Sequence, residues 1–360
     1  MKIGILTFHI ARNYGAVLQC YCLTETLKRL QHEVKVIDYR PVYLVKAHSL
    51  FRKQWLKHPL SLLRFFILFP SALLRRRKFD HFLASLPLQS LAFKSPDNDF
   101  DAFVFGSDQI WNKLICNGFD PVYFAGEAAF EGKLKIAYAA SSGHVQLTDR
   151  EQETFLRYMQ RFDALGVRET SLQDFLQRHG IPATLTVDPV VLAGRPVLDA
   201  IADKAPARRG RYVLCYEVSP TRKVRSFARR IARELGCDVL PVARGEYASG
   251  RKCVSPEAFI ALFRDAAFVV SSSFHGMALS LMFGKSFYNI SVNDQQDERV
   301  RSFLSVVGLE GRLIRQESQI RLQEAIDYDC VWKQIEGLRA SSLDFLKEAL
   351  RSKRVSNPIT

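Results

Sequence analysis

The sequence has few features of a protein held together by disulfides or by a structural metal. Its seven cysteines include no CxxC pair, and Cys20 and Cys22 are two positions apart, so on a helix they would point to different faces. The odd count and these spacings argue against a disulfide framework and against a zinc site. We therefore expect reduced thiols and no bound metal.

The sequence also lacks an apolar run long enough to cross a membrane. The longest run, residues 60–74, is interrupted by Arg64 and Pro70 and is shorter than the roughly 20 residues that a spanning helix needs. Residues 2–8 have the pattern of a strand and are too short for the apolar core of a signal peptide. These absences predict a soluble cytoplasmic protein.

No GxGxxG fingerprint follows the first predicted strand, so dinucleotide binding is poorly supported. The hydrophobic content of 48% and the charged content of 24% are ordinary for a globular protein, and 360 residues suit two domains. The net charge of +14 is unusual. It is compatible with nucleic acid, an anionic membrane surface or a multiply charged anionic substrate as partner.

Positive charge is concentrated in one apolar insert, residues 51–79. Residues 51–78 contain eight basic residues and no acidic residue. One interpretation is a pair of helices packed on the body, with the basic side chains in solvent. The other is a peripheral surface that contacts an anionic membrane or a lipid-linked substrate. Because the aromatic residues of the insert look like packing residues, nucleic acid is not an expected partner.

Predicted strands and helices alternate along the rest of the chain. A βαβ unit opens it, with strand 2–8, helix 16–30 and strand 34–38, and a second series begins at Tyr212. Between the two series, residues 193–211 are rich in Pro, Arg, Lys and Ala, which is typical of a linker. The pattern predicts an α/β fold with two Rossmann-like domains facing a cleft. The expected limits are 1–195 for the first domain, 196–315 for the second and 316–360 for a helical tail.

Residues 267–287 combine a strand end, a helix start and a titratable side chain. An apolar run, Phe268–Val270, precedes three serines and Phe274-His275-Gly276, and apolar residues then follow at helical spacing. In open α/β sheets ligands bind at the carboxyl ends of strands, and a helix start offers N–H groups to an anion. His275 can carry a charge or a transferable proton near neutral pH. We therefore expect a catalytic centre here.

Six turn motifs occur in order along the chain. They are Asn13-Tyr14-Gly15-Ala16-Val17-Leu18-Gln19, Phe105-Gly106-Ser107-Asp108-Gln109-Ile110-Trp111-Asn112, Ala137-Tyr138-Ala139-Ala140-Ser141, Val167-Arg168-Glu169, Val187-Asp188-Pro189 and Ser273-Phe274-His275-Gly276. Together they resemble the polysaccharide pyruvyl transferase family over residues 1–290. Some members of that family carry Arg two residues before the motif histidine, where this chain has Ser273.

The resemblance implies a GT-B-like fold and phosphoenolpyruvate as the pyruvyl donor. The acceptor would be a sugar of a cell-surface polysaccharide, such as an exopolysaccharide, or its lipid-linked oligosaccharide precursor. The product would be a pyruvate ketal that bridges two hydroxyls. No cofactor is implied beyond phosphoenolpyruvate as co-substrate.

The donor carries a phosphate and a carboxylate, so its site needs cations and oriented N–H groups. We expect His275 to contact the phosphate or act as general acid, with Ser272, Ser273 and Gly276 beside it at the helix start. Arg168, at a strand end of the first domain, would bind the carboxylate or the phosphate. The alternatives are a salt bridge of Arg168 with Glu169 or a neighbouring acid, and a packing or capping role for His275.

The acceptor is expected at two other strand ends. Asp108 would act as a general base or bind a hydroxyl beside Gln109, although Asp is also common as a helix N-cap. The turn of Asn13, Tyr14 and Gly15 would bind acceptor hydroxyls, unless Gly15 serves only the backbone of the turn. Asp188, before Pro189, is more typical of a turn than of a base.

Two other functions fit parts of the sequence. A GT-B glycosyltransferase that uses a nucleotide sugar would have a similar fold, but its second domain would usually show a Glu-rich or Gly-rich nucleotide turn, which is absent here. A basic binding protein for nucleic acid or membrane, with no catalytic activity, would explain only the positive charge.

Overall fold

The computed structural model describes residues 1–49, 59–143, 146–206, 208, 210–217, 221–243, 254–292 and 294–351. Two parallel β-sheets covered by helices form the framework of these residues, one in each half of the chain. This arrangement confirms the predicted fold class, an α/β protein with two Rossmann-like domains.

The first domain is built on a seven-stranded sheet. Its strands are β1 (Lys2–Leu6), β2 (Glu33–Ile37), β3 (Leu88–Gln89), β4 (Ala102–Phe105), β5 (Leu134–Ala140), β6 (Ala164–Val167) and β7 (Thr184–Leu185). They lie in the order β3-β2-β1-β4-β5-β6-β7, and every neighbouring pair is parallel. All of β4 is buried, as expected of a strand with helices on both faces. The helices are α1 (Tyr14–Arg29), α2 (Val42–Ala47), α3 (Pro59–Leu83), α4 (Lys113–Cys116), α5 (Asp149–Met159), α6 (Thr170–Arg178) and α7 (Pro189–Ala193).

The second domain is built on a five-stranded sheet. Its strands are β8 (Tyr212–Glu217), β9 (Asp238–Ala243), β10 (Phe268–Ser271), β11 (Phe287–Ile290) and β12 (Leu313–Ile314). They lie in the order β12-β11-β10-β8-β9 and are also parallel. The remaining helices are α8 (Arg195–Ala202), α9 (Arg222–Glu234), α10 (Pro256–Arg264), α11 (Phe274–Met282), α12 (Asp294–Val306) and α13 (Tyr328–Arg351).

The strand order of each sheet reverses at one point. That point lies between β1 and β4 in the first sheet and between β8 and β10 in the second. Open α/β sheets bind ligands at the carboxyl ends of the strands beside such a point. Helix α1 follows β1 and α11 follows β10, so both helix starts lie at these places. They also touch each other, because the ring of His275 packs on Gly15.

The chain crosses between the domains twice. The segment 193–211, predicted to be a linker, contains α8, which packs against α10 of the second domain. Helix α13 returns to the first domain, where the Val187 N–H donates to Oγ of Ser342 (3.0 Å). The predicted helical tail is therefore part of the packing of the first domain. Residues 352–360 of that tail lie outside the described residues, and the domain limits at 195 and 315 stay predictions.

The described part of the basic insert is a single helix, α3, whereas the sequence suggested a pair. Residues 50–58, with three of the eight basic residues, lie outside the described residues. Arg75, expected to face solvent, is instead buried: its guanidinium donates to the Tyr14 hydroxyl (3.1 Å) and to the Arg12 carbonyl (3.0 Å) and lies over the ring of Phe79. Acceptors and an aromatic face make this burial tolerable. Within the described chain, no helix is long and apolar enough to cross a membrane.

Candidate active site

The stretch around His275 has the predicted strand–turn–helix form. Strand β10 ends at Ser271, and the turn Ser272–Ser273 leads into α11. The Ser273 N–H donates to Oγ of Ser271 (3.1 Å), which holds the turn. Gly276 is required by space, because a Cβ there would collide with the same Oγ. As at any helix start, the first N–H groups of α11 have no carbonyl partner within the helix.

His275 lies where the two domains meet. Its ring packs on Gly15, and a Cβ at position 15 would overlap Nδ1 and Cε1 of the imidazole. The φ angle of Gly15 is outside the left-handed region, so this glycine is required by space rather than by its backbone conformation. The His275 side chain keeps 15% of its surface exposed. It is therefore mostly enclosed at the interface, and its buried Nε2 makes no hydrogen bond among the described residues.

Arg168 and His275, one from each domain, meet at the carboxylate of Asp188. Nη1 of Arg168 donates to Oδ2 of Asp188 at 2.7 Å, and Nε2 of His275 lies 3.5 Å from the same oxygen. The other carboxylate oxygen accepts the Val190 N–H (2.9 Å) and so caps α7. Asp188 thus both forms its turn, as the sequence indicated, and joins the two predicted site residues.

Asp188 and Arg168 stabilise each other's charges. Burial alone would raise the pKa of Asp188, but His275 and Arg168 more than offset that effect and hold it well below its ordinary value. Burial alone would likewise lower the pKa of Arg168, but the carboxylates of Asp188, Glu169 and Asp108 raise it. Arg168 therefore keeps its charge although its side chain is only 3% exposed.

Arg168 retains donors that its protein partners do not use. Its Nε and Nη2 are buried and make no hydrogen bond within the described chain. The salt bridge that the sequence left open is formed, with the neighbouring acid Asp188 as the main partner. Oε1 of Glu169 lies farther away, 3.9 Å from Nε, and accepts the Ser141 hydroxyl at 2.6 Å. Buried N–H groups without an acceptor are costly. They indicate that a ligand with oxygen acceptors belongs here.

Glu169 also has an unsatisfied atom. Its Oε2 is buried and has no hydrogen-bond partner among the described residues. Sequence reasoning treated Glu169 only as a neutralising neighbour of Arg168 and missed this feature. The motif Val167-Arg168-Glu169 was the available signal, since it places both side chains at the end of β6.

The residues expected at the acceptor side differ in how accessible they are. Tyr14 is fully buried: its ring stacks on Phe259 of the second domain, and its hydroxyl donates to the Val254 carbonyl (2.9 Å). Asn13 caps α1 by accepting the Ala16 N–H (3.3 Å). These contacts are those of an interdomain joint, and we do not carry Tyr14 or Asn13 into the acceptor site proposed below.

Asp108 and Gln109 remain partly exposed at the end of β4. Asp108 does not cap a helix; one of its oxygens accepts the N–H of Gln109 (2.9 Å). The Gln109 amide oxygen accepts from Asn112 (2.7 Å), which in turn caps α4. The Asp108 carboxylate lies close enough to Arg168 to raise its pKa. Asp108 therefore belongs to the same charged cluster as the donor residues.

An open cleft of about 1040 Å³ adjoins this cluster. Its walls come from the first domain and from α12 of the second, and they combine aromatic with polar and charged side chains. Lining residues include Lys113, Ser142, Phe155, Glu169, Phe175 and Arg301. Such a mixture suits a hydroxyl-rich ligand with apolar faces. Among the described residues, no group of three or more His, Cys, Asp or Glu side chains is arranged to hold a metal ion.

The fold and the site together define a class: two-domain α/β proteins in which strand ends of both domains meet at a cluster of charged side chains. Within that class, the sequence identifies one family. The chain belongs to the polysaccharide pyruvyl transferase family, whose model matches residues 13–294. The family predicted from the six turn motifs is thereby confirmed.

Three solved structures match the chain over nearly its whole length at low sequence identity. UDP-GlcNAc 2-epimerase from Neisseria meningitidis bound to UDP-GlcNAc is 12% identical with a TM-score of 0.47, and 98% of this chain and 100% of that chain are covered. The putative UDP-N-acetylglucosamine 2-epimerase of Listeria monocytogenes is 13% identical with a TM-score of 0.46, covering 100% and 99%. The glycosyltransferase SsfS6 of Streptomyces sp. SF2575, complexed with thymidine diphosphate, is 13% identical with a TM-score of 0.43, covering 98% and 100%. Likenesses this low do not indicate a shared substrate. No curated protein sequence matches the chain.

Proposed function

We propose that this protein transfers the pyruvyl group of phosphoenolpyruvate onto two hydroxyls of a sugar, in a cell-surface polysaccharide or its lipid-linked precursor. The observation that supports it best is the meeting of Arg168 and His275 at Asp188, with two buried guanidinium donors left unused. A small, doubly anionic substrate matches those donors. The family to which the chain belongs supports the pyruvyl transfer.

The donor would lie between Arg168 and the start of α11. Nε and Nη2 of Arg168 would bind two oxygens of one anionic group in the bidentate manner that guanidinium groups favour. The N–H groups at the start of α11 would bind the other anionic group, since a helix start favours negative charge. His275, whose ring packs on Gly15, would lie between these two anion sites.

The reaction needs one proton donor and one proton acceptor. In the proposed sequence His275 protonates the methylene carbon, the first acceptor hydroxyl attacks the central carbon, and the carbon–oxygen bond to phosphate breaks. The second hydroxyl then attacks the same carbon and closes the ketal. Of the two hydroxyl protons, one is in effect transferred to the new methyl group and one leaves on phosphate, so the atoms balance without an oxidant or reductant.

The acceptor would lie in the open cleft beside Glu169. The orphaned Oε2 of Glu169 and the carboxylate of Asp108 are the groups that could accept hydroxyl protons, and both belong to the charged cluster around Arg168. Gln109 is a further candidate for hydrogen bonds to the sugar, because Gly143, which lines the cleft, packs against its side chain. Phe175, which is partly exposed at the cleft, offers an apolar face to a sugar ring.

The alternative remains a glycosyltransferase that uses a nucleotide sugar. The test is to incubate the protein with phosphoenolpyruvate and a panel of glycan and lipid-linked acceptors, and to follow phosphate release and ketal formation by mass spectrometry. Parallel reactions contain nucleotide sugars in place of phosphoenolpyruvate. Acceptor-dependent phosphate release supports the proposal, whereas consumption of a nucleotide sugar without it supports the alternative.

Gly15→Ala is expected to reduce turnover because the new Cβ displaces the ring of His275. Displacing a catalytic group by about 1 Å costs about 100-fold in rate. The control is Gly311→Ala, at an exposed glycine with no atom within 4 Å of the added Cβ. The measurements are acceptor-dependent phosphate release and thermal denaturation. Equal turnover of the two variants would show that the contact between His275 and Gly15 does not matter for catalysis.

We also propose a peripheral contact between α3 and the cytoplasmic face of an anionic membrane. Ile67 and Leu74 are 67% and 50% exposed, and Arg77 is exposed one turn further along the same face. This arrangement of apolar and basic side chains suits an interfacial helix that presents the active site to a lipid-linked acceptor.

The double variant Ile67→Ser/Leu74→Ser is expected to sediment less with vesicles that contain anionic lipid. Arg77→Gln is expected to weaken binding about fivefold, since one basic residue near such a surface contributes about 1 kcal/mol. The matched control is Val42→Ser/Val45→Ser, which removes two exposed apolar side chains from α2. Sedimentation that does not depend on anionic lipid, or that falls equally in the control, contradicts the proposal. Arg75 is unsuitable for this test because it is buried.

A further inference from the structure

A second guanidinium group faces the donor site from the other domain. Arg299 lies on α12, beyond the residues that the family model matches. With Arg168, Asp188 and Phe274 it lines a cavity of about 90 Å³ between the domains. A volume of that size holds about three water molecules at about 30 Å³ each, or one small oxyanion.

Arg299 has no protein partner of its own. Within the described chain it makes no hydrogen bond and no ion pair. The carboxylates that act on it, those of Glu169, Asp108 and Asp188, are already engaged with Arg168 or lie beyond ion-pair distance. A guanidinium group stays protonated in proteins, so Arg299 keeps its charge at this site. Arg299 is partly exposed, and solvent supplies its acceptors until a ligand displaces that solvent.

Arg168 and Arg299 are also close enough to repel each other. Burial and then the charge of Arg168 lower the pKa of Arg299, and the three carboxylates only partly counteract this. Two like charges in an enclosed site destabilise the free protein unless an anion lies between them. Phe274, with its ring 5.8 Å from the Arg168 guanidinium, lines the same cavity on the side of α11.

We propose that Arg299 is a donor-binding residue, and that its guanidinium and that of Arg168 together clamp one anionic group of phosphoenolpyruvate. The inference rests on the proposed function and extends it. It also supplies a cation from the second domain, where residue 273 is a serine with a buried, uncharged side chain. Because the two arginines belong to different domains, the bound anion would hold the domains together.

The test compares Arg299→Met and Arg299→Lys with Arg229→Met. Arg229 is an exposed residue of the same domain, so the control removes the same charge from solvent. Phosphoenolpyruvate binding is measured by titration calorimetry, and KM for donor and for acceptor by phosphate release. Arg299→Met is expected to weaken donor binding roughly 10- to 100-fold, the effect of losing a charged hydrogen bond. The donor affinity of Arg299→Lys should lie between those of wild type and Arg299→Met. In both variants the KM for the acceptor should stay within about twofold of the wild-type value.

Thermal denaturation separates this role from a structural one. Arg299→Met is expected to denature at the same temperature as wild type or higher without ligand, because the repulsion is removed, and to gain less stability from phosphoenolpyruvate. Wild-type donor affinity in Arg299→Met would overturn the inference and leave the proposed function standing. If wild type itself fails to bind phosphoenolpyruvate, the proposed function fails. In that case the protein is heated with inorganic phosphate. If phosphate stabilises wild type but not Arg299→Met, the two arginines still form an anion site. If phosphate stabilises both equally, the inference about Arg299 is overturned as well.

Discussion

His275→Ala is expected to lower acceptor-dependent phosphate release by a factor of about 100 to 10,000, the usual range for loss of a general acid. The imidazole is the titratable group that α11 brings to the donor site, and it lies between Asp188 and Gly15. Stability should change little, because Asp188 keeps its 2.7 Å contact with Arg168. Turnover and thermal denaturation are measured on the same samples.

Two controls make this result specific to the imidazole. His179→Ala removes an exposed histidine that directly follows α6 and contacts the Phe175 carbonyl of that helix. This variant should keep wild-type turnover. Added imidazole should restore part of the activity of His275→Ala if the ring acts in proton transfer, because the free base can occupy the vacated space. Turnover of His275→Ala within a few-fold of wild type would show that His275 is not the proton donor. If His275→Ala binds the donor more weakly and imidazole does not restore its activity, His275 would be assigned to binding and not to proton transfer.

Loss of Asp188 is expected to have the largest effect on stability. Asp188→Ala leaves the Arg168 guanidinium buried without its counter-charge, and breaking a buried pair in this way costs about 3–5 kcal/mol. Arg168→Met should cost less, because Asp188 keeps its hydrogen bond from Val190 and its contact with His275. The double variant Arg168→Met/Asp188→Ala should recover part of the stability and none of the activity. The free energy of unfolding in urea and phosphate release measure the two effects separately.

The same pair predicts how stability changes with acidity. The pKa of Asp188 is lower in the folded protein than its ordinary value. Its contribution to stability is therefore fully present above its unfolded-state pKa of about 3.9, and it is lost as pH falls through the lower folded-state value. The free energy of unfolding of wild type should therefore exceed that of Asp188→Asn at neutral pH, and this difference should shrink only in that acidic range. A stability difference between them that is constant from neutral pH into this range would show that the Asp188 charge is not responsible.

Much of the framework follows from local sequence. The apolar runs of β1, β4 and β10 are short and nearly continuous, as in strands covered on both faces, and they predict the parallel sheets. The polar turns that follow them predict where ligands bind, because carboxyl ends of parallel strands share one edge. His275 and Arg168 could be selected in this way from their positions after strands.

Other site residues carry no local signal. Arg299 lies in the middle of a helix whose sequence is unremarkable for a surface helix, and its role depends on where α12 packs. Asp188 has the sequence of a turn, and its contact with His275 joins residues 87 positions apart in the chain, from 188 to 275. Tyr14 and Arg75 looked accessible by residue type, yet both are buried at the joint between α1, α3 and the second domain.

Local sequence was enough to predict the α/β class, the strand ends that line the cleft, the family, and two residues that meet between the domains, Arg168 and His275. Hydrophobic periodicity and turn residues determine the backbone conformation of a few neighbouring residues, so these features can be predicted from the sequence. The tertiary structure decided that Arg168 and His275 share one carboxylate, that Glu169 and Arg168 keep unused polar atoms, and that Arg299 faces them. Those features depend on how two domains pack against each other, and that packing joins side chains whose separation in sequence no local pattern records.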